Sequence, residues 1–315
     1  MTKKIAFLFP GQGSQSVGML DSFKSNPSTA SLFATAAQEA EQALGQNLAD
    51  LIEQGPSESL NLTTNTQPAM LMADVLVMRA WLAAGGAMPN LLAGHSLGEY
   101  AALVASGVFS LSEGLGLVRI RAQAMQEAVP VGQGGMAAIL GLSDEQVIQA
   151  CAQGSVNGEV AEAVNFNAPS QVVIAGSVQG VKNACEAAKA LGAKRALELP
   201  VSAPFHSSLM KPASVKLATA LSNTNFAPPQ LPVYNNIDVA VESDPARIRD
   251  ALVRQAYGPV RWVETIQAMT AAGTSLFVEC GPGKVLAGLV KRISDVPVIN
   301  IHDPDSIQAA LAAAQ

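Results

Sequence analysis

Short apolar runs alternate with longer stretches of helical spacing along most of the chain. The runs Ile5–Phe9, 91–94, 233–236, 276–279 and Val298–Ile301 predict buried strands. Helical spacing covers residues 31–44, 48–53, 67–84, 110–128, 207–221, 245–254, 260–272, the stretch from the Gly281-Pro282-Gly283 turn through Arg292, and 305–313. Strands that alternate with helices imply a parallel sheet covered on both faces. Residues 67–84 are apolar almost all round, which predicts an interior helix. After Pro130 the texture changes. Residues 136–140, 160–164, 171–175 and 195–199 read as strands, and 144–152 and 178–191 as helices. That is the β-α-β-β-α-β order of a ferredoxin-like unit. The segment Asn165-Phe166-Asn167-Ala168-Pro169 falls between its middle strands and reads as a loop. The expected fold is therefore α/β. A large hydrolase-like domain with a parallel sheet core (1–130 and 200–315) carries a small ferredoxin-like subdomain (131–199).

Composition narrows the partners. The 315 residues are 49% hydrophobic and 14% charged, with a formal net charge of −6. This balance argues against non-specific nucleic-acid binding. The most apolar helix carries Asp74 and Arg79, so a buried helix is expected there rather than a membrane span. The first apolar run is too short for a signal peptide and stops at Pro10-Gly11. Cys151, Cys185 and Cys280 are scattered, with no CxxC and no metal-ligand spacing. A reducing cytoplasm, no structural disulfide and no metal are expected.

The candidate chemistry sits in Gly94-His95-Ser96-Leu97-Gly98. It follows a strand and opens a helical pattern through Ala101, Ala102 and Ala105. A serine on so tight a turn stands clear of the sheet only if its neighbours lack bulk, and two glycines provide that clearance. The following helix directs free N–H groups at the site and favours developing negative charge. Ser96 is thus the candidate covalent nucleophile. The loop Pro10-Gly11-Gln12-Gly13-Ser14-Gln15 lacks the third glycine of a dinucleotide fingerprint and the Gly-Lys-Ser/Thr of a P-loop. Its backbone can supply one arm of an oxyanion hole, with the Leu97 N–H as the other. Serine needs a base near neutrality. His95 adjoins Ser96 and projects elsewhere, packing or hydrogen bonding behind the turn. His206, in a loop stiffened by Pro200 and Pro204, and His302, after the last strand, remain rivals by position, the stiffened loop favouring His206. No carboxylate stands at a telling spacing for a third member; a carbonyl or amide could orient the imidazole as well. Arg119 and Arg121 lie two apart on one helix and face different sides; Arg119 reads as a solvated surface charge.

Taken together, the sequence resembles the bacterial malonyl-CoA:acyl-carrier-protein transacylase family over its whole length. The resemblance rests on residues 9–15, 94–100, Arg121 with 125–130, 165–169, Pro204-Phe205-His206, Arg254-Gln255 and Gly281-Pro282-Gly283-Lys284. It implies a malonyl ester on Ser96, His206 as base, and an oxyanion hole from the N–H groups of Gln12 and Leu97. It also implies Arg121 on the malonyl carboxylate and a Gln255 backbone carbonyl that fixes His206. Asn165, Asn167 and His95 would be supporting residues. The implied partners are malonyl-CoA as substrate and holo acyl carrier protein, with no cofactor, nucleic acid or membrane, and the chain is expected to act as a monomer. An acidic carrier would need a local basic surface, for which Lys189, Lys194, Arg195, Lys284, Lys291 and Arg292 are candidates.

Overall fold

The computed structural model describes residues 3–314. Five parallel strands form the main sheet: β1 (Ile5–Phe9), β2 (Leu91–Gly94), β7 (Val233–Tyr234), β8 (Leu276–Cys280) and β9 (Val298–Ile301), in the spatial order β7-β2-β1-β8-β9. A second, antiparallel sheet joins β3 (Gly134–Leu140), β4 (Ala161–Ala168), β5 (Gln171–Ser177) and β6 (Arg195–Glu198) in the order β4-β5-β3-β6. The protein is thus α/β, with a parallel sheet core and a small ferredoxin-like unit.

Strand alternation sorts the core. Phe7 and Phe9 of β1 face the apolar cluster that contains Trp81, Met70 and Val118. Ala6 and Leu8 face the opposite cluster, with Trp262, Ile266 and Leu289. A two-residue side-chain period on a sheet covered on both faces accounts for the unbroken apolar run. The helix Thr63–Ala83 is buried along most of its length, in keeping with its apolar circumference. In the small unit, Ser143 and Gln146 form a capping box that starts the helix Asp144–Gly154. Among the described residues no helix is long and apolar enough to cross a membrane.

Several boundaries depart from the sequence expectation. Asn165–Ala168 is not a loop; it continues β4 through two register shifts. The cause is a partner distant in sequence. The Phe166 N–H donates to the Val260 carbonyl at 3.0 Å, and the Val260 N–H to Val164 at 2.8 Å. Those bonds tie the small sheet to the segment that leads into the helix Trp262–Ala271 of the larger body. They also hold Val260 out of the following helix, which starts at Trp262 rather than 260. The helix expected from 207 begins at Lys211, after a 3-10 turn over Ser208–Met210. The helix expected from 67 starts four residues earlier, at Thr63, and carries Pro68 within it. The strand expected over 233–236 stops at Tyr234, which frees Asn236 for the site below. Arg119 is not freely solvated: its Nη2 donates to Gln46 Oε1 at 2.6 Å.

In the main sheet Phe9 stands level with Gly94. The loop after β1 and the turn after β2 therefore emerge side by side at the carboxyl edge of the sheet, where open α/β sheets place their ligand clefts.

Candidate active site

The turn after β2 is built by exclusion. A Cβ on Gly94 would lie 1.9 Å from the Gly98 carbonyl, and one on Gly98 would lie 2.1 Å from the Phe9 carbonyl oxygen. A Cβ on Gly11 would lie 2.6 Å from the His95 oxygen, so the loop after β1 also packs backbone to backbone against the turn. Within this frame Ser96 has φ of +53°, a left-handed conformation that serine rarely adopts. The strain is held by Asn236. Its Oδ1 accepts from the Ser96 N–H at 2.7 Å, and its Nδ2 donates to the Gly94 carbonyl at 2.7 Å.

Ser96 Oγ lies 2.6 Å from His206 Nε2. On the far side of the ring, Nδ1 lies 2.9 Å from the Gln255 backbone carbonyl. A carbonyl only accepts, so Nδ1 carries the ring proton and Nε2 is left to accept from the serine hydroxyl. His206 is buried, with φ of +66°. Burial first, and the Arg121 charge second, push its pKa down to about 3. In the free site the imidazole is neutral.

Arg121 is 2% exposed. Its Nη2 donates to Ser96 Oγ at 3.2 Å and to Gln255 Oε1 at 3.0 Å, and its Nη1 to Gln67 Oε1 at 2.8 Å. Its Cζ lies 5.6 Å from the centre of the Tyr100 ring. None of these partners carries a negative charge. Gln67 Nε2 donates to Thr63 Oγ1, which donates to Gln12 Oε1, so a chain of polar contacts runs from the guanidinium to the loop after β1. The N–H groups of Gln12 and Leu97 make no hydrogen bond to the described residues, and both residues line the cleft.

The cleft encloses about 250 Å3 between the two sheets. Polar residues surround Ser96 at its base, and Met136, Val201, Phe205 and Leu289 form apolar walls. Asn165, Asn167 and His95 all line it. His95 Nε2 lies 2.8 Å from Asn167 Oδ1, and its ring meets the Trp262 ring edge-on. His95 is therefore held at the cleft wall, not behind the turn, and burial lowers its pKa. His302 is not in this cleft. It stands 3.4 Å from Asp303 and lines a separate groove with Lys284 and Lys291.

Sequence reasoning gave Asn236, Gln67 and Glu99 no role. Glu99 was visible one helical turn after Ser96. Asn236 and Gln67 had no sequence signal, since both act through contacts remote along the chain. Glu99 is buried; its Oε2 accepts from the Asn236 N–H and from Gln255 Nε2, each at 2.9 Å. Burial is the larger influence on its carboxyl and raises the pKa to about 7 against those hydrogen bonds.

The acyl transferase domain model matches residues 6–301. Curated relatives include malonyl CoA-acyl carrier protein transacylases. That of Salmonella typhimurium is 52% identical over 98% of this chain and 99% of its own length. That of Bacillus subtilis is 44% identical over 98% and 96%. Among solved structures, an acyl-carrier-protein S-malonyltransferase from Burkholderia pseudomallei superposes with a TM-score of 0.95 at 59% identity, covering 98% of this chain and 99% of that one. A malonyl-transacylase in complex with its type II PKS acyl-carrier protein superposes with the same score at 47% identity, over 98% of this chain and 99% of that one. With its serine, histidine and arginine converging at the edge of the parallel sheet, the chain belongs to the acyl transferase family.

Proposed function

We propose that this chain moves a malonyl group from coenzyme A to the phosphopantetheine thiol of holo acyl carrier protein, through an ester on Ser96, in cytoplasmic type II fatty-acid biosynthesis. The observation that carries this reading is the convergence on one oxygen. Ser96 Oγ meets the acceptor nitrogen of His206 and a buried guanidinium free of any carboxylate. A serine–histidine pair acylates and deacylates; the unpaired guanidinium selects an acyl group that ends in a carboxylate.

The steps follow from the atoms. Ser96 Oγ gives its proton to His206 Nε2 and attacks the thioester carbonyl carbon. The carbonyl oxygen becomes an oxyanion beside the Gln12 and Leu97 N–H groups, each donor lowering the barrier by about 3 kcal/mol. Collapse breaks the carbon–sulfur bond, and the CoA sulfur takes the proton from His206. The carrier thiol then enters, loses its proton to His206, attacks the ester and releases Ser96 Oγ, which recovers the proton. A carboxylate docked on Arg121 cancels the nearest positive charge to His206 and moves its pKa back up from about 3. The correct substrate thereby improves its own base. No cofactor enters these steps. Asn165, Asn167 and His95 shape the cleft wall. Residues 131–199 form a small subdomain that closes the cleft over the 1–130 and 200–315 body. Of the basic candidates for carrier docking, Lys284 and Lys291 flank one groove, whereas Lys189 is paired with Glu186 and Arg292 is tied to Pro169.

Intact-protein mass after mixing with malonyl-CoA tests the reading. A malonyl-sized gain is expected in wild type, absent in Ser96→Ala, and discharged by holo acyl carrier protein. A gain lost equally fast to water alone would make the protein a hydrolase. Arg121→Ala is expected to lower malonyl loading by about 100-fold while acetyl loading from acetyl-CoA persists, since a charged hydrogen bond contributes roughly 1.5–3 kcal/mol. Competition between the two thioesters measures this. An unchanged malonyl preference would remove Arg121 from the role.

A further inference from the structure

Arg121 lies in the protein interior with three neutral hydrogen-bond partners and its Nε unpartnered among the described residues. A buried cation without a counter-charge is strongly unfavourable. A carboxylate in direct contact would neutralise it but would occupy the edge that the substrate needs. The chain resolves this conflict with one intervening amide. The Gln255 side chain is fully buried; its Oε1 accepts from Arg121 Nη2 at 3.0 Å, and its Nε2 donates to Glu99 Oε2 at 2.9 Å and to the Ser96 carbonyl at 3.0 Å. A carboxylate accepts only, so the amide nitrogen must face Glu99 and the amide oxygen must face the guanidinium. The Glu99 oxygen that receives this bond also accepts the Asn236 N–H, the residue that clamps the serine turn.

We propose that Glu99 is the counter-charge of Arg121, held one carboxamide away, and that as a positioning residue it sets how tightly the site grips a substrate carboxylate. This rests on the reading of Arg121 as the carboxylate clamp. Glu99 never touches the acyl group. Its negative charge repels the incoming carboxylate across the buried Gln255 carboxamide and offsets part of the attraction of Arg121. Grip is thereby limited, which a ping-pong enzyme requires, because the malonyl group must leave on the second half-reaction.

The test is calorimetric titration of free malonate into the purified protein at about pH 8.5, above the value of about 7 to which burial raises the Glu99 carboxyl, so that Glu99 carries its charge; no turnover is needed. Wild type is expected to bind malonate and Arg121→Ala to lose that binding; if Arg121→Ala binds as wild type does, the clamp itself fails. Glu99→Gln removes the charge while keeping shape and acceptor oxygen. It is expected to tighten malonate binding about tenfold, from the loss of one like charge at an effective dielectric near 20. In the same protein the KM for acetyl-CoA should stay within about threefold, since acetyl carries no charge to repel; a merely structural role would move both ligands together. Equal or weaker malonate binding by a folded Glu99→Gln overturns the proposal. Glu99→Asp keeps the charge and provides a second arm. Its malonate affinity should stay within about threefold of wild type, and a larger tightening would show that charge is not the cause.

Discussion

His206→Ala is expected to slow acylation of Ser96 by about 10³–10⁴-fold while leaving malonyl-CoA affinity within a few-fold. His206 Nε2 lies 2.6 Å from Ser96 Oγ and its Nδ1 is fixed by the Gln255 carbonyl, so under the proposed mechanism the imidazole takes the hydroxyl proton and does not hold the substrate. Arg121 and the N–H groups of Gln12 and Leu97 remain, which is why a residual rate should survive. Single-turnover loading followed by intact mass checks the rate, and equilibrium binding to Ser96→Ala with and without the second change checks the affinity. If loading falls less than tenfold, another group is the base. The same variant has a signature in stability. Folded His206 has its pKa pushed down to about 3 by burial and by Arg121, whereas in the unfolded chain it titrates near 6.5. Below pH 6.5 the unfolded chain binds a proton that the folded form refuses. The stability that this provides is full above pH 6.5 and is lost as pH falls toward 3. His206→Ala should therefore lose stability less steeply over that window than wild type, as read by denaturant melts at stepped pH.

Gly98→Ala is expected to abolish acyl-enzyme formation and to destabilise the fold by more than about 3 kcal/mol. The added Cβ would lie 2.1 Å from the Phe9 oxygen and 2.8 Å from the Pro10 oxygen. Neither neighbour is a flexible side chain. The Phe9 carbonyl also accepts the His95 N–H at 3.0 Å, so β1 and the serine turn cannot separate without losing that bond. Any relaxation displaces Ser96 from His206 or opens the gap between Gln12 and Leu97. Gly116 is a fitting control, since a Cβ there meets nothing within 4 Å; Gly116→Ala lies in the helix Leu111–Ala128 and should keep both stability and loading. Denaturant unfolding and the mass assay give the two readouts. A Gly98→Ala protein that loads malonyl at the wild-type rate would contradict this account of the turn.

The sequence by itself determined the layered α/β plan, because strand runs of period two and helices of period 3.6 record which face is buried. It also marked Ser96, because the turn needs glycines at two fixed positions and local sterics are written locally. The six-element order between Pro130 and Pro200 was legible for the same reason. By position along the chain His206 and His302 stayed rivals, with the stiffened loop and the family resemblance favouring His206; tertiary structure alone shows His206 Nε2 at 2.6 Å from Ser96 Oγ and His302 in a separate groove, because only the sheet order fixes which loop reaches the serine. It alone turned 165–168 into strand, through the Val260 partner nearly a hundred residues away. It alone gave roles to Asn236, Gln67 and Glu99, whose hydrogen bonds to Arg121, to one another and to Gln255 cross 54 to 156 residues of sequence. Periodicity reports burial and turn chemistry reports backbone shape, but neither encodes which buried polar group will meet which. That matching depends on the distance and direction between elements, and these exist only once the sheet has assembled.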